Sequence, residues 1–393
     1  MKRLLPFLSA ASFILPAAFA SAADTPCKLT REFPNCKLER PTVLAIPADG
    51  TQRLFLAGQT GKILLLPKDR SSAETKVFLD VTSAMKVENN FEEGLVGFVF
   101  HPKFKENKKF YVCYAQQDPK VNRVSEFTVS ASDPDKADPA SERTVMEIRR
   151  PFWNHNCGNM VFGPDGMLYL GVGDGGKADD VARLAQNIFV LNGKILRIDV
   201  DTRTGRRAYG IPKDNPFVKT DGASPEIWTW GHRNTWGMAF DEKTGELWCA
   251  EVGQELREEI NIIKKGQNYG WSYREGTIAF PRRTDAPPEK AKFVEPIFEY
   301  DRSQGISITG GFVYHGQKIQ DLQNAFIYGD WGSGRVWALK TSGPEHTVTS
   351  NTLLAEPADL KAKFPKPSAF YPDTDGEVLL LDWNGGIYRL EKR

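Results

Sequence analysis

A short motif recurs along most of the chain and constrains its fold more than any other feature. From Pro41 onward, a turn rich in Pro, Asp, Gly or Asn leads into a short apolar or aromatic strand, and a second turn leads into another strand. Glycine and asparagine supply the positive φ angles that tight hairpins require. Clear examples of the strands lie at 54–56, 63–66, 168–170, 247–249, 378–381 and 387–388. The repetition indicates stacked copies of one β unit.

The repeat predicts an all-β fold, a six-bladed β-propeller with four-stranded antiparallel blades around a central channel. About 350 residues divided into blades of about 60 residues give six blades, which is within the usual range for propellers. We expect the first and last strands to meet in one blade, because this closure leaves no long free edge. A tandem of β-sandwiches is the alternative, but it requires a domain boundary, and the composition has no linker-like shift.

The N-terminus predicts export to the periplasm or the cell exterior. Two basic residues precede an apolar stretch at 4–19, and small residues at 20–22 offer a cleavage site. A transmembrane anchor is the alternative, but two prolines interrupt the stretch, and we expect no membrane insertion after cleavage. The expected parts are a signal peptide at 1–22, an irregular lead-in at 23–40 and the propeller at 41–393.

The charge balance argues against nucleic acid or an anionic membrane as a partner. The formal net charge is +1, and removal of Lys2 and Arg3 with the acid-free leader lowers it by two, to −1. A protein this close to neutrality has no general electrostatic attraction for polyanions.

Five cysteines are present, and export would make disulfides possible. Cys27 and Cys36 flank a short loop just after the leader, so we expect a bridge between them. Because the number is odd, at least one thiol stays free or pairs between chains.

Three segments carry residues suited to catalysis or ligand binding. His155 lies in a polar loop and is a candidate general base, because imidazole titrates near neutral pH; the alternative is a histidine that caps a turn. Arg233 could stabilise an anion or a developing oxyanion, or it could merely stack on a neighbouring tryptophan. Backbone carbonyls near Gly253, with carboxylates such as Glu259, would suit calcium; the alternative is a solvated acidic turn.

Several motifs follow one another in the order of a known family. They lie at 93–98, 100–102, 155–175, 193–197, 231–234, 259–261 and 268–271, with later ones at 309–314 and 329–335. In these segments the chain resembles the soluble glucose/sorbosone dehydrogenases, the quinoprotein aldose sugar dehydrogenases of six-bladed propeller fold.

The resemblance implies an oxidoreductase that oxidises a sugar or related polyol at a CH–OH group. Hydride would pass to pyrroloquinoline quinone with calcium assistance, and the electrons would leave to an external acceptor. His155 would match the base that removes the hydroxyl proton. Arg233 would polarise the quinone carbonyl, and Asn234 would also contact the quinone.

The resemblance also implies residues that hold the cofactors. The carbonyls of Gly253 and Gln254 would hold a calcium ion that orients the quinone. Glu259 and the backbone of Tyr269 would match a second, structural calcium site. Lys366 would anchor a quinone carboxylate, although the other late-blade cations of the family are missing.

Two alternatives to a quinone enzyme stay open. A non-catalytic exported propeller that binds carbohydrate or protein would account for the missing cations. A calcium-dependent hydrolase or lactonase on the same architecture would also use His155 as its base.

Overall fold

The chain folds into six four-stranded antiparallel sheets arranged as the blades of a propeller, as the sequence predicts. This computed structural model describes residues 25–87, 91–357 and 364–393. The expected signal peptide at 1–22 lies outside the described residues.

The blades are built from strands of 2 to 13 residues. In chain order the strands are β1 Cys27–Glu32, β2 Pro41–Ala45, β3 Phe55–Gly58, β4 Lys62–Leu65, β5 Lys76–Asp80, β6 Leu95–Phe100, β7 Lys109–Gln116, β8 Val121–Val129, β9 Ala137–Arg149, β10 Cys157–Phe162, β11 Leu168–Val172, β12 Lys194–Ile198, β13 Ile227–Trp230, β14 Thr235–Phe240, β15 Leu247–Glu251, β16 Glu258–Ile263, β17 Arg274–Glu275, β18 Ile278–Ala279, β19 Phe298–Tyr300, β20 Ile308–Thr309, β21 Phe326–Asp330, β22 Val336–Ser342, β23 Thr347–Ala355, β24 Pro367–Pro372, β25 Val378–Asp382 and β26 Gly386–Lys392.

Each blade uses strands that are neighbours in sequence, except the last. Blades one to three are β2 to β5, β6 to β9 and β10 to β13; blade four is β14-β15-β16-β19, blade five is β20 to β23, and blade six is β24-β25-β26-β1. A separate two-stranded ribbon joins β17 to β18. Helix is confined to α1 Thr82–Met85, α2 Phe104–Asn107 and a 3-10 turn at Gln320–Leu322 within the described ranges. No helix in this part of the chain is long and apolar enough to span a membrane.

The turn chemistry explains the hairpins. In the β10–β11 hairpin, Asp165 Oδ1 accepts the Met167 N–H at 3.0 Å, and Gly166 adopts a φ of 75°. That left-handed conformation strains any residue with a Cβ, so glycine suits the position. The hairpin brings Phe162 opposite Leu168 and starts the ladder of blade three.

The innermost strand of each blade lines the central channel. Residues from β2, β6, β10, β14 and β24, with residues 310–312 directly after β20, surround a cavity of about 590 Å³. Small residues let the blades converge there: a Cβ on Gly237 would lie 2.6 Å from the Gly310 Cα of the next blade. The blades therefore converge closely around the channel, and side chains of their innermost strands wall it.

The ring closes through β1, which pairs antiparallel with β26 from Cys27↔Lys392 to Glu32↔Ile387. Closure by the first and last strands is therefore confirmed, but the first strand lies within the stretch expected to be irregular. Lys28, Thr30 and Arg31 of this edge strand are exposed, so its sequence is too polar to resemble the apolar strands of the repeat.

The expected Cys27–Cys36 bridge is wrong. All five cysteines are free and buried. Cys27 begins an extended strand that runs to Glu32, which alone separates its ends by about 16 Å. A disulfide requires Cα atoms within about 7 Å. Instead, the Cys36 thiol donates to the Ser72 carbonyl at 3.3 Å.

Candidate functional site

The segments singled out in the sequence reach one face of the propeller. Within a blade, the connection entering the first strand and the connection between the second and third strands lie at the same end, because neighbouring strands are antiparallel. His155 precedes β10, Arg233 and Asn234 precede β14, Lys366 precedes β24, and Gly253 and Gln254 lie between β15 and β16. The topology therefore collects them around one mouth of the channel.

His155 is held from both its backbone and its ring. The residue is buried, with a φ of 51°, and its N–H donates to Glu92 Oε2 at 2.8 Å. Its Nδ1 lies 2.6 Å from Asp174 Oδ1. Nε2 makes no hydrogen bond to a described residue, so this nitrogen is available to a ligand. A carboxylate behind one ring nitrogen with the other left open is the arrangement of an oriented general base.

Trp271 connects this base to Arg233. The second oxygen of Asp174, Oδ2, accepts the Trp271 indole N–H at 2.8 Å. The Arg233 guanidinium lies 5.6 Å from the centre of the Trp271 ring, within the range of a cation–π contact. The Asp174 N–H also donates to the Arg233 carbonyl at 2.8 Å. Movement of either candidate catalytic residue would therefore disturb the other.

The Arg233 guanidinium is only partly hydrogen-bonded within the protein. Its Nη1 donates to the Val252 carbonyl at 2.9 Å, whereas its buried Nε has no hydrogen-bond partner in the described part of the chain. A buried N–H without a partner is costly, and an anionic oxygen on a ligand would satisfy it. Arg233 therefore stacks on Trp271, and not on a tryptophan adjacent to it in the sequence. Asn234 lines the channel beside it.

Glu251 fixes the segment that carries Arg233. Its Oε1 accepts the backbone N–H groups of Arg233 and Asn234, and its Oε2 accepts the Thr235 hydroxyl at 3.0 Å. His232 Nδ1 lies 3.0 Å from the same Oε2. One buried carboxylate thus binds four consecutive residues, 232–235, and His232 has a structural role.

The loop after β15 leaves two carbonyls free for a cation. Glu275 Oε1 accepts the N–H groups of Gln254 at 2.7 Å and Glu255 at 2.7 Å. In a trans peptide the carbonyl points opposite to the N–H, so the carbonyls of Gly253 and Gln254 both point away from this carboxylate. Only glycine fits at 253, where a Cβ would lie 1.6 Å from the Arg257 carbonyl oxygen. Parallel carbonyl oxygens backed by a carboxylate are suitable donors for calcium.

Glu259 lies in a row of carboxylates that crosses blade four. It is paired in register with Glu251 on one side and Glu299 on the other. Burial, and then the charge of Glu251, raises the pKa of Glu259 to about 8. The neighbouring Asn261 amide donates to Glu259, but its buried Oδ1 has no partner among the described residues. Excess buried carboxylate and an orphaned amide oxygen fit a divalent cation.

The structure does not gather this second group into a complete metal site. No cluster of three or more His, Cys, Asp or Glu side chains suited to a metal occurs in the described residues. The Tyr269 hydroxyl donates to the Ile262 carbonyl at 2.7 Å, and its ring stacks on His232 at 4.8 Å. Tyr269 could therefore contribute only its backbone carbonyl.

A buried lysine lies behind Asp174. Lys194 Nζ donates to three carbonyl oxygens, at 2.6 to 3.0 Å, those of Leu184, Ala185 and Asn192. Burial lowers the pKa of Lys194 to about 7, against the opposing charges of Asp180 and Asp174. Burial, and then the charge of Asp174, raises the pKa of Asp180 to about 7.

Lys366 does reach the mouth, but on an aromatic surface. Its ammonium lies 4.1 Å from the centre of the Trp331 ring and makes no ion pair with a described residue. Arg335, the other late-blade cation nearby, donates to Glu356 at 3.3 Å. Among the described residues of blades five and six near this mouth, Lys366 is therefore the one cation without an ion pair.

Sequence reasoning assigned no role to Asp174, Glu251 or Trp271. Asp174 and Trp271 lie inside segments that were singled out, and Glu251 lies two residues before Gly253, but the function of each depends on partners 16 to 97 residues away. A buried acid two residues after an apolar strand, as Asp174 is after β11, was the one local signal.

The family model described as glucose/sorbosone dehydrogenase matches residues 38–361. The HIPL1 protein of Arabidopsis thaliana is 31% identical over 419 residues, covering 87% of this chain and 60% of HIPL1. The Hedgehog-interacting protein of Homo sapiens is 27% identical over 312 residues, covering 75% of this chain and 41% of that protein.

The fold also matches a solved enzyme. The PQQ-bound aldose sugar dehydrogenase of Streptomyces coelicolor has a TM-score of 0.72 at 23% identity, covering 95% of this chain and 100% of that one. At that identity the likeness concerns the fold. The chain spans about 60% of the length of HIPL1. Because the family model covers most of the sequence, the chain belongs to the glucose/sorbosone dehydrogenase family.

Proposed function

We propose that this protein is an exported oxidoreductase that oxidises a sugar or related polyol at a CH–OH group, with pyrroloquinoline quinone and calcium as cofactors. The observation that supports it best is the linked pair of His155 and Arg233. Asp174 orients the first, Trp271 joins it to the second, and each presents an uncommitted nitrogen.

In this proposal the chain's own residues handle the proton and the developing charge. His155 Nε2 accepts the proton of the substrate hydroxyl, and Asp174 stabilises the resulting imidazolium. The Arg233 guanidinium donates to the oxygen that becomes anionic. Bound pyrroloquinoline quinone would supply the hydride acceptor, and calcium would act on it as a Lewis acid.

Residues on the same face would hold both cofactors. The carbonyls of Gly253 and Gln254 would bind the calcium beside the quinone, and Glu259 with the Tyr269 carbonyl would contribute to a structural calcium. Asn234 would contact the quinone, and Lys366 would bind one of its carboxylates. A charge-assisted contact is worth about 1.5–3 kcal/mol, so a single cation predicts weaker quinone affinity than several would.

The test is a titration of purified mature protein with quinone in the presence of calcium, followed by absorbance. Micromolar binding and aldose-dependent reduction of a dye are expected. His155→Ala should abolish turnover while the quinone stays bound, which separates catalysis from binding. Absence of quinone binding at micromolar concentration would refute the proposal.

A non-catalytic binding propeller is the second candidate. Aromatic side chains from several blades lie across the mouth, and one relative carries the name Hedgehog-interacting protein. This candidate predicts calcium binding without quinone binding in the same titration, and a carbohydrate or protein ligand instead.

A further inference from the structure

Four aromatic side chains meet on the face that carries His155. The ring centre of Phe91 lies 6.5 Å from that of Trp153, 5.9 Å from that of Trp331 and 5.8 Å from that of Trp383. Trp331 and Trp383 lie 6.2 Å apart. All four contacts are edge-to-face, which is a favourable aromatic geometry. We call these four residues the aromatic bridge.

The four residues of the aromatic bridge lie in loops between strands and not in the strands themselves. Phe91 precedes β6, Trp153 precedes β10, Trp331 follows β21 and Trp383 follows β25. The contacts of Phe91 therefore join the entrances of blades two and three to the turns of blades five and six, across the channel axis.

Phe91 is the centre of the bridge. It is the one member that contacts the other three, and Trp153 contacts no other ring of the bridge. The Phe91 side chain remains 46% exposed, so it lies at the solvent boundary and is not part of a blade core. The two tryptophans of blades five and six each make a cation–π contact. Lys366 lies over the Trp331 ring, and Arg40 lies over the Trp383 ring.

The position of Phe91 is tied to the candidate base. The next residue, Glu92, accepts the His155 N–H at 2.8 Å and lines the channel with Asn156 and Asn234. Trp153 lies two residues before His155. The bridge therefore lies beside His155 on the same face of the ring, and His155 itself is only 4% exposed.

We propose that Phe91 determines the size of ligand that reaches His155, so that the site takes single sugar rings or small polyols rather than saccharide chains. A ligand reaches His155 only when Phe91 moves, and a saccharide chain, which extends beyond the mouth, must keep Phe91 displaced from all three ring contacts while it is bound. The substrate class rests on the proposed function; the control of access by Phe91 does not.

Access is tested without cofactor by labelling with diethyl pyrocarbonate, which attacks an unbonded imidazole nitrogen. His155 should react at least about tenfold faster in Phe91→Ala than in wild type, since the mouth then no longer depends on a minor open state. Phe91→Tyr, which keeps the ring, should match wild type. So should Phe189→Ala, which removes an exposed phenylalanine outside the bridge. Mass spectrometry resolves each site, and His315, paired with Asp241 at 2.6 Å, is the internal reference.

Equal labelling of His155 in wild type and Phe91→Ala would overturn the proposal. If the alanine variant does not fold, as judged by circular dichroism, Phe91→Leu provides the same comparison. With quinone and calcium supplied, the ratio of kcat/KM for a monosaccharide to that for its trisaccharide should fall about tenfold in the variant. An unchanged ratio in an active enzyme would refute the substrate class. Lack of any turnover would count against the proposed function alone, because the labelling result still decides the role of Phe91.

Discussion

Replacing Glu251 by alanine tests whether the candidate site depends on one buried carboxylate. The side chain is 4% exposed and accepts hydrogen bonds from the two backbone N–H groups of Arg233 and Asn234 and from the side chains of His232 and Thr235. Alanine removes every acceptor at once and leaves the donors of residues 232–235 facing a cavity.

The expected cost follows from the number of donors. A buried donor without a partner costs about 1–3 kcal/mol, so four donors give a loss of about 4 kcal/mol or more. Native domains have a free energy of unfolding of about 5–15 kcal/mol, so the variant should be severely destabilised. Glu251→Gln keeps one oxygen for the two backbone donors, His232 can change tautomer, and Thr235 can rotate its hydroxyl. That variant should lose only about 1–3 kcal/mol.

Urea denaturation of the mature protein, followed by circular dichroism, measures these differences. Glu289→Ala is the matched control, because Glu289 is exposed and such substitutions usually change stability by less than about 0.5 kcal/mol. If Glu251→Ala were no less stable than the control, the carboxylate would not organise this segment. If the glutamine variant were as unstable as the alanine variant, charge rather than hydrogen bonding would be the cause.

Three further changes probe the site. Asp174→Asn should reduce kcat about 10²–10⁴-fold in a dye-reduction assay with quinone still bound, because His155 loses its orienting carboxylate; an unchanged kcat would rule out that role. Trp271→Phe keeps the ring near Arg233 but removes the indole donor, so kcat should fall about tenfold, as one hydrogen bond predicts, with KM unchanged. Because the folded pKa of Asp180 is raised to about 7, its contribution to stability is present at acidic pH and lost as the pH rises through 7. The stability of wild type relative to Asp180→Asn should therefore decline from pH 4 to pH 8 in urea titrations, and parallel curves would contradict the raised pKa.

The blades were predictable because their determinants are local. The turn and strand at 164–170 contain the Asp–Gly turn and the apolar residues that build the β10–β11 hairpin. β1 was not predictable in this way. It is an edge strand with an exposed side, and its partner β26 lies more than 350 residues along the chain, so neither periodicity nor turn chemistry marks it.

The candidate site likewise has some determinants that are local in the sequence and others that are distant. His155 and Arg233 are recognisable as residue types in polar loops. The hydrogen bond between Asp174 and Trp271, which links them, joins residues 97 positions apart. No sequence pattern encodes that distance; it arises because the connection after β16 runs back beside the end of β13, where Trp230 pairs with Asn268. The Cys27–Cys36 prediction failed for the related reason that short separation along the chain was read as proximity, although an extended strand intervenes.

The distribution of charge around the mouth bears on how a cofactor could be held. On the side of blades three and four, two carbonyls point away from Glu275, and Arg233 retains a free donor. On the side of blades five and six, Lys366 lies on Trp331 and no second cation is uncommitted among the described residues. In the proposed complex, calcium at the Gly253 and Gln254 carbonyls would therefore add compensating charge that these described side chains do not supply. If the quinone binds as proposed, its affinity should consequently depend on calcium, and chelation should release the quinone.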